Sequence, residues 1–484
     1  MENRNKIITT LNSKRIEIEG ENAFMPLANY LRGNECLTGT KVVCAEGDCG
    51  ACTVLLARDI GPDGKLNFKA VNSCIIPLYL IDGAQVVTVE GLKKSDTELH
   101  PVQNAMVDCH GAQCGYCTPG FICSMAALTE DAKTENVAIT EKKAKNYLTG
   151  NLCRCTGYKP IIEAAMSIDL SKTELLKDRF HNPQWLSEMK KIKSTPLLMT
   201  FNQKTIYLPV NLEDALIAKN KNPDLRLIAG STDLGVVINK GKLSTPKAMA
   251  LYHIEELKKI THDDLEMTVG ATATFSEFEY YVEKLNPELK KILHIFASPQ
   301  IKNQGTLVGN VVNASPIADT IPFLMAQDAK VVLKSINGER TVLMSDFYTG
   351  YKTLNILPDE IVVALKIPHS KKEENLKLFK VSIRKDLDIS AVTFAGVMEV
   401  ELGKIKKANF ALGGIAATVV RMKSIEAGIV GASFTRKTFE DIAMNIPNLI
   451  SPLSDVRASK EYRLKLAQNF FLKFYDEVSK ENNL

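Results

Sequence analysis

Apolar and polar residues alternate at the start of the chain in a pattern that predicts a hairpin. Ile7-Ile8-Thr9-Thr10-Leu11 is followed by a polar turn at Asn12-Ser13 and a return strand from Arg15 to Ile18. A short helix with Leu27, Tyr30 and Leu31 on one face comes next, then a strand at Thr53-Val54-Leu55-Leu56. From about Gly91 to Ile168 the period becomes helical. His100 to Met106 enters a first helix, Phe121 to Leu128 a second, and Lys142 to Leu148 a third with Gly150 as its C-cap; Pro160 opens a fourth. Residues 169–195 are rich in lysine and read as an exposed linker, with Trp185 pinning it. The strand Leu225–Ala229 then runs into Gly230-Ser231-Thr232-Asp233-Leu234 and an apolar helical stretch. Beyond Lys377 strands fall near Phe379–Val381, Val392–Ala395 and Lys407–Leu412. A last helix is expected from about Ser454, capped by Ser454-Asp455, with Tyr462, Leu466, Phe470 and Phe474 on one core-facing stripe.

The 484 residues suffice for three or four domains, and 45% hydrophobic with 24% charged residues is a globular composition. The net charge of +4 is near balance and no basic stripe is interleaved with aromatics, so nucleic-acid binding is disfavoured. No apolar run reaches the roughly 18–20 residues of a membrane span; the longest, near Cys74 to Ile81, is broken by Pro77. Met1 to Arg15 lacks the apolar core of a signal peptide, and a cytoplasmic location is expected. The cysteines sharpen that picture. There are eleven, an odd number, all before Ile161, which favours metal ligation in a reducing compartment over a disulfide scaffold.

Cys44, Cys49 and Cys52, answered by Cys74, make the C-x4-C-x2-C…C spacing of plant-type [2Fe–2S] ferredoxins. Gly47 and Gly50 can take positive φ and curl the loop so that N–H groups face sulfur. A structural zinc site is the alternative, although zinc usually takes paired C-x2–4-C knuckles. A second set, Cys114, Cys117, Cys153 and Cys155, sits in the turns between the predicted helices. Each of its pairs precedes a helix start, at Thr118 (N-cap) with Pro119 and at Pro160, and two helix N-termini would stabilise an anionic thiolate-ligated centre. Cys36, Cys109 and Cys123 read as ordinary buried thiols.

Strand, glycine turn and helix at Leu227 to Leu234 make a phosphate cradle. A second glycine loop, Gln300 to Asn310, could clamp a diphosphate together with it. No G-x-G-x-x-G occurs, which disfavours a Rossmann site. Asp233 and Asp319 are acidic beside a proposed phosphate site, so helix capping competes with ribose or water contacts for each.

Residues 1–168 resemble the two-cluster electron-transfer module of the molybdenum hydroxylase family, to which xanthine dehydrogenase and aldehyde oxidase belong. The carriers are Cys44 to Cys52 (CAEGDCGAC), Gln113 to Gly120 (QCGYCTPG) and Asn151 to Tyr158 (NLCRCTGY). The resemblance implies that each cysteine quartet ligates one [2Fe–2S] cluster, the second lying nearer molybdenum with Gln113 beside it. Residues 200–370 resemble the FAD domain of the same family, of the carbon monoxide dehydrogenase flavoprotein type. That likeness rests on Leu227 to Leu234, Phe296 to Ile301, Gly270 to Glu277, Thr306 to Asn310 and Asp319. It implies flavin contacts at Leu227, Ile228, Ala229, Gly230, Ser231, Thr232, Asp233 and Leu234, at Phe296, at Thr306, Leu307, Val308, Gly309 and Asn310, and at Asp319, Val362 and Lys380. Asp388 is expected near the nicotinamide approach.

The fold class expected is multidomain α+β: a β-grasp ferredoxin domain (1–90), a helical [2Fe–2S] bundle (91–168), the linker (169–195), a two-part α/β FAD domain (196–370) and a C-terminal α/β domain (371–484). One departure stands out. The family commonly has Gly-Gly-Asn where this chain has Val308-Gly309-Asn310, and a β-branched residue does not take positive φ cheaply, so the position is either ordinary β or a different loop geometry.

The layout resembles the small subunit of the family's bacterial two-subunit xanthine dehydrogenases. It implies a large molybdopterin-binding partner, two copies of each subunit, NAD+ as electron acceptor, and no residue of this chain catalysing substrate chemistry. The alternatives are the small subunit of another molybdenum hydroxylase, acting on aldehydes, nicotinate or a related heterocycle, and a stand-alone iron–sulfur flavoprotein electron carrier.

Overall fold

The N-terminal hairpin forms as Ile7–Leu11 against Lys14–Ile18, and Asn12 and Ser13 both take positive φ, 48° and 70°. Positive φ at both turn residues is the type I′ geometry, whose twist matches that of the strands. The computed structural model describes residues 3–243 and 246–482. It divides into two units, 1–215 with 224–255 and 298–305, and 216–223 with 256–297 and 306–484. The stretch 196–370 therefore contributes to both, with a boundary between residues 305 and 306 inside the second glycine loop.

In the first unit Gln85–Val87 pairs parallel with Ile7–Leu11 and antiparallel with Thr53–Ile60, which pairs with Leu66–Asn72. This is a mixed five-stranded sheet with Lys14–Ile18 at one edge and Leu66–Asn72 at the other. Leu27, Tyr30 and Leu31 of the helix Leu27–Gly33 pack on it in one core with Val54, Leu56 and Val86. A second sheet, Leu197–Phe201, Lys204–Leu208, Lys247–Ala250 and Arg226–Ile228, shares that core through Leu197, Ile206 and Ala250.

Four helices follow the first sheet in sequence: Pro101–Asp108, Thr118–Thr134, Glu141–Leu148 and Lys159–Met166. Two of the expected caps differ. Cys117, not Thr118, is the N-cap of Thr118–Thr134, and Thr118 Oγ1 is buried with no hydrogen-bond partner among the described residues. Gly150 does not adopt positive φ. A Cβ there would stand 2.2 Å from Gln300 Oε1 and 2.5 Å from Ser298 Cβ, so the position needs glycine for close approach.

Residues 169–195 do not form an exposed linker. They fold into Leu176–Arg179 and Pro183–Lys193, and Trp185, Leu186, Met189 and Ile192 join the core beneath the helices. Arg179 donates to the carbonyl of Leu92 and, at 3.4 Å, to that of Gly91. Lys190 and Lys191 lie on the outer face of an amphipathic helix, which a charge count alone does not distinguish from a solvated tether.

His100 caps Pro101–Asp108: its Nδ1 accepts from the Val102 N–H at 3.3 Å, and its own N–H donates to Gln103 Oε1 at 2.9 Å. Burial, with Arg179 and Lys94 nearby, lowers His100 from 6.5 to about 4. The folded value lies below the unfolded one, so the stability it carries is complete above the unfolded value and is lost as the pH falls toward the folded one. The shift amounts to about 3 kcal/mol. Thermal melting followed from neutral to acidic pH is expected to show a Tm that declines below about pH 6.5. His100→Asn, which can cap without titrating, is expected to flatten that decline.

In the second unit an antiparallel sheet runs in the order Ile260–His262, Glu266–Gly270, Ile361–Pro368, Lys330–Ser335, Gly338–Leu343. Another antiparallel sheet comprises Glu374–Val381, Val392–Glu401, Lys404–Gly413 and Val420–Arg421. The last helix spans Lys460–Asn482, six residues beyond Ser454: Asp455 holds the N–H groups of Arg457 and Ala458 in a preceding turn, while the Ser454 hydroxyl accepts from the Lys460 N–H at 2.9 Å and that of Ser459 from the Tyr462 N–H at 3.2 Å. Phe470 and Phe474 pack on Phe394 as expected, but Tyr462 is half-exposed and outside the core. No helix of the described residues is long and apolar enough to cross a membrane.

Candidate functional site

The loop Cys44–Cys52 is built on backbone that side chains rarely adopt: Ala45, Gly47 and Gly50 have φ of 53°, 73° and 69°. Asn72 Nδ2 donates to the Gly47 carbonyl at 2.6 Å, and Asn239 Nδ2 donates to the carbonyls of Ala45 at 2.9 Å and Cys74 at 2.8 Å. Asn239 thus ties the loop to the fourth thiol. Cys52 and Cys74 are buried, Cys44 and Cys49 half-buried. Hydrogen bonds from Cys49 and then Cys74 hold Cys44 far below a normal thiol, and bonding to Cys44 and Cys52 pushes Cys74 up.

The second quartet lies where two helices begin. Cys155 Sγ is 3.8 Å from Cys153 Sγ and 3.7 Å from Cys114 Sγ. Cys117 closes the set through Cys153; burial, then that thiol, pushes Cys117 up to about 12. Burial opposes ionisation of Cys153, but the Thr156 hydroxyl, 3.0 Å from its sulfur, and local N–H groups bring it down to about 7. The Cys153 N–H is itself held by the Tyr158 hydroxyl at 3.0 Å. Cys114 and Cys155 are exposed, so this quartet opens to the surface while the first is more enclosed. Gln113 beside it is exposed too. The Leu152 N–H donates to the Cys49 carbonyl at 3.0 Å, so a backbone hydrogen bond joins one cysteine loop directly to the other.

Two thiolates about 2.3 Å from one tetrahedral metal stand roughly 3.8 Å apart, which the Cys155–Cys153 and Cys155–Cys114 separations match. No three His, Cys, Asp or Glu among the described residues form a ready single-ion site; the fit of the second quartet rests on the sulfur separations above, and that of the first on its curled loop and on Asn239, which ties Ala45 to Cys74. None of the eleven cysteines is in a disulfide. Of the three outside the quartets, Cys123 is buried as expected, whereas Cys36 is exposed and Cys109 half-buried.

The first glycine turn follows Arg226–Ile228, which carries Leu227 and the buried Ile228; Ala229 leads into the turn. Ser231 takes φ of 60° at the start of the helix Thr232–Asn239, and Thr232, Asp233 and Leu234 form its first turn. Gly230 is pressed against Gln304. A Cβ there would sit 2.0 Å from the Gln304 carbonyl oxygen, and Gln304 Nε2 donates to Gly230 O at 2.6 Å. Ser231 Oγ is buried with no partner among the described residues, an orphan that a phosphate oxygen would satisfy. Asp233 is exposed and does not cap its helix.

In the second unit Thr306 caps Leu307–Asn313, accepting from the Gly309 N–H at 2.9 Å, and forms an isolated bridge with Thr274. Val308 lies in that helix, buried, with no positive φ. The departure from glycine therefore costs no strain: helical backbone accepts a β-branched residue. Phe296 packs on Phe275 at 4.8 Å between ring centres, and Asn310 Oδ1 accepts from Thr320 Oγ1 at 2.8 Å.

Asp319 does not cap a helix either. Its carboxylate takes Lys380 Nζ at 2.5 Å and the Ser390 hydroxyl, and Lys380 also donates to the Asp388 carbonyl at 2.9 Å. Asp388 turns its own carboxylate on the Arg384 N–H at 2.8 Å. Val362, on Ile361–Pro368 opposite Leu333, is buried. Sequence reasoning missed Asn239, Thr320 and Ser390, single polar residues in runs without motif character, and the part played by Gln304 inside the second glycine loop.

Residues 88–166 match the family model of a [2Fe-2S] binding domain, 199–370 that of the FAD binding domain in molybdopterin dehydrogenase, and 377–478 that of the CO dehydrogenase flavoprotein C-terminal domain. The chain is 31% identical to the xanthine dehydrogenase of Emericella nidulans over 97% of its length, and 30% identical to xanthine dehydrogenase 1 of Arabidopsis thaliana over 95%. It covers only 38% and 39% of those two proteins. Among solved structures it resembles carbon monoxide dehydrogenase from Hydrogenophaga pseudoflava (TM-score 0.53, 22% identity, 55% of this chain and 94% of that one). It also resembles quinoline 2-oxidoreductase from Pseudomonas putida 86 (TM-score 0.52, 24% identity, 57% and 96%). At such identities the solved structures speak for the fold. Fold and domain matches together define an iron–sulfur flavoprotein. The chain belongs to the molybdenum hydroxylase family and is homologous to the N-terminal portion of xanthine dehydrogenases.

Proposed function

We propose that this chain is the electron-transfer subunit of a xanthine dehydrogenase. A separate large subunit carrying molybdopterin would oxidise hypoxanthine and xanthine to urate, and this chain would deliver the electrons to NAD+, in an assembly of two small and two large subunits. Cys114, Cys117, Cys153 and Cys155 hold one [2Fe–2S] cluster and Cys44, Cys49, Cys52 and Cys74 the other. Leu227 to Leu234, Phe296, Thr306 to Asn310, Asp319, Val362 and Lys380 hold FAD. When bound, the clusters supply one-electron relay and the flavin the change to hydride chemistry. The chain's own residues position these groups. The helix starts after Cys117 and Tyr158 offer N–H groups and positive dipole ends to the second quartet, and Asn239 clamps the first. Ser231 offers a hydroxyl to a phosphate, and the Lys380–Asp319 pair fixes charge where the flavin is expected.

The observation that carries the reading is the direct Leu152-to-Cys49 hydrogen bond between two cysteine quartets in a unit that also contains the first flavin turn. The test is anaerobic titration of the purified chain. NADH is expected to bleach both flavin and iron–sulfur absorption, while xanthine bleaches neither until the large subunit is added. Bleaching by an aldehyde but not by xanthine in the complex would assign another molybdenum hydroxylase; no bleaching by NADH would remove NAD+ as acceptor.

A further inference from the structure

Between the two cysteine loops lies a knot of buried polar side chains that ligates nothing. Asn151, two residues before Cys153, donates from Nδ2 to the Gly50 carbonyl at 3.0 Å, in the other cysteine loop, and lies 3.4 Å from Thr53 Oγ1. Its Oδ1 accepts from the Ser124 hydroxyl at 2.7 Å and from Gln300 Nε2 at 2.9 Å. Gln300 Nε2 also reaches Ser124 Oγ at 3.1 Å. Thr53, Ser124, Asn151 and Gln300 are all at most 2% exposed.

The backbones around them touch. A Cβ on Gly50 would stand 2.3 Å from the Gly150 carbonyl oxygen, and one on Gly120 would stand 2.2 Å from that of Gly50. Two donors converging on Asn151 Oδ1 leave its amide one orientation, with the NH2 aimed at Gly50. Gln300 Oε1 is buried without a hydrogen-bond partner among the described residues, so what this glutamine contributes to the knot is its NH2 end.

We propose that Asn151, aimed by Gln300 and Ser124, is a positioning residue that fixes the spacing of the two cysteine quartets and thereby the coupling between the clusters they hold. This rests on the cluster reading above. The dipolar part of the coupling falls with the inverse cube of separation, so small displacements are visible in the spectrum of the reduced protein.

The test uses the full chain, reduced with dithionite, carrying Asn151→Asp or Gln300→Met. Asn151→Asp replaces the donor facing Gly50 with a carboxylate oxygen. Gln300→Met keeps the length but releases the asparagine amide to turn. Iron and sulfide contents equal to wild type, with the spin–spin splitting between the two cluster signals diminished or lost and their midpoint potentials shifted, are expected. Full iron with unchanged splitting and potentials in both variants would overturn the proposal. So would loss of iron from both, because the knot would then build the sites and not space them. Wild-type chain without iron would instead strike down the cluster reading, and this proposal with it.

Discussion

Alanine in place of Cys153 is expected to cut the iron of the purified chain from about four atoms to about two, with acid-labile sulfide falling in step and the flavin retained. Cys153 is the member of the second quartet that the fold holds most firmly. It is 8% exposed, its N–H is bound by Tyr158, and its sulfur meets Thr156, Cys155 and Cys117. Removing its thiolate leaves three ligands at a centre that needs four, two of them on exposed residues. The first quartet is built from a separate loop and is expected to survive, so one of two reduced-state EPR signals disappears and the other remains. Cys74→Ala is the mirror experiment and should remove the opposite signal. If either variant kept both signals, the partition of the eight cysteines into two quartets would be wrong.

The second large effect is expected at Lys380. Its side chain and that of Asp319 are 2% and 7% exposed, and they pair at 2.5 Å. Lys380→Met leaves the Asp319 carboxylate buried with the Ser390 hydroxyl as its only remaining charge-neutral partner in that group. Stranding one member of a buried ion pair costs about 3–5 kcal/mol, whereas replacing both members with apolar groups can be nearly neutral. Urea unfolding of the flavin-free chain is therefore expected to shift strongly for Lys380→Met and to recover much of the loss in the Lys380→Met, Asp319→Leu double variant. A single variant as stable as wild type would show that the pair is solvated. Flavin content is expected to fall in both, because the double variant restores packing but not the charge pattern.

What could be read from the sequence was local. Cysteine spacing, positive φ at Gly47 and Gly50, the Asn12-Ser13 turn and the strand–glycine–helix run at Leu227 to Leu234 each depend on neighbours within a few positions, and each is found as expected. The misreadings involve partners far along the chain. Gly150 looked like a C-cap because glycine commonly ends helices; its actual constraint comes from Gln300 and Ser298. The polar, lysine-rich character of 169–195 hid a helix whose apolar stripe of Trp185, Leu186, Met189 and Ile192 is spaced for burial. For Asp319, helix capping stayed open beside ribose or water contacts because the residue that claims its carboxylate, Lys380, lies 61 positions away. Nothing in the single residues Asn239, Asn151 or Gln300 distinguishes a buried bridging amide from a surface one, since that role is created by tertiary packing alone.

Iron, labile sulfide and zinc analysis of the anaerobically purified chain, combined with EPR after reduction, tests the central claim most directly. About four irons, about four sulfides, negligible zinc and two distinct binuclear signals are predicted. Zinc in place of iron, or cysteines recovered as disulfides, would contradict it.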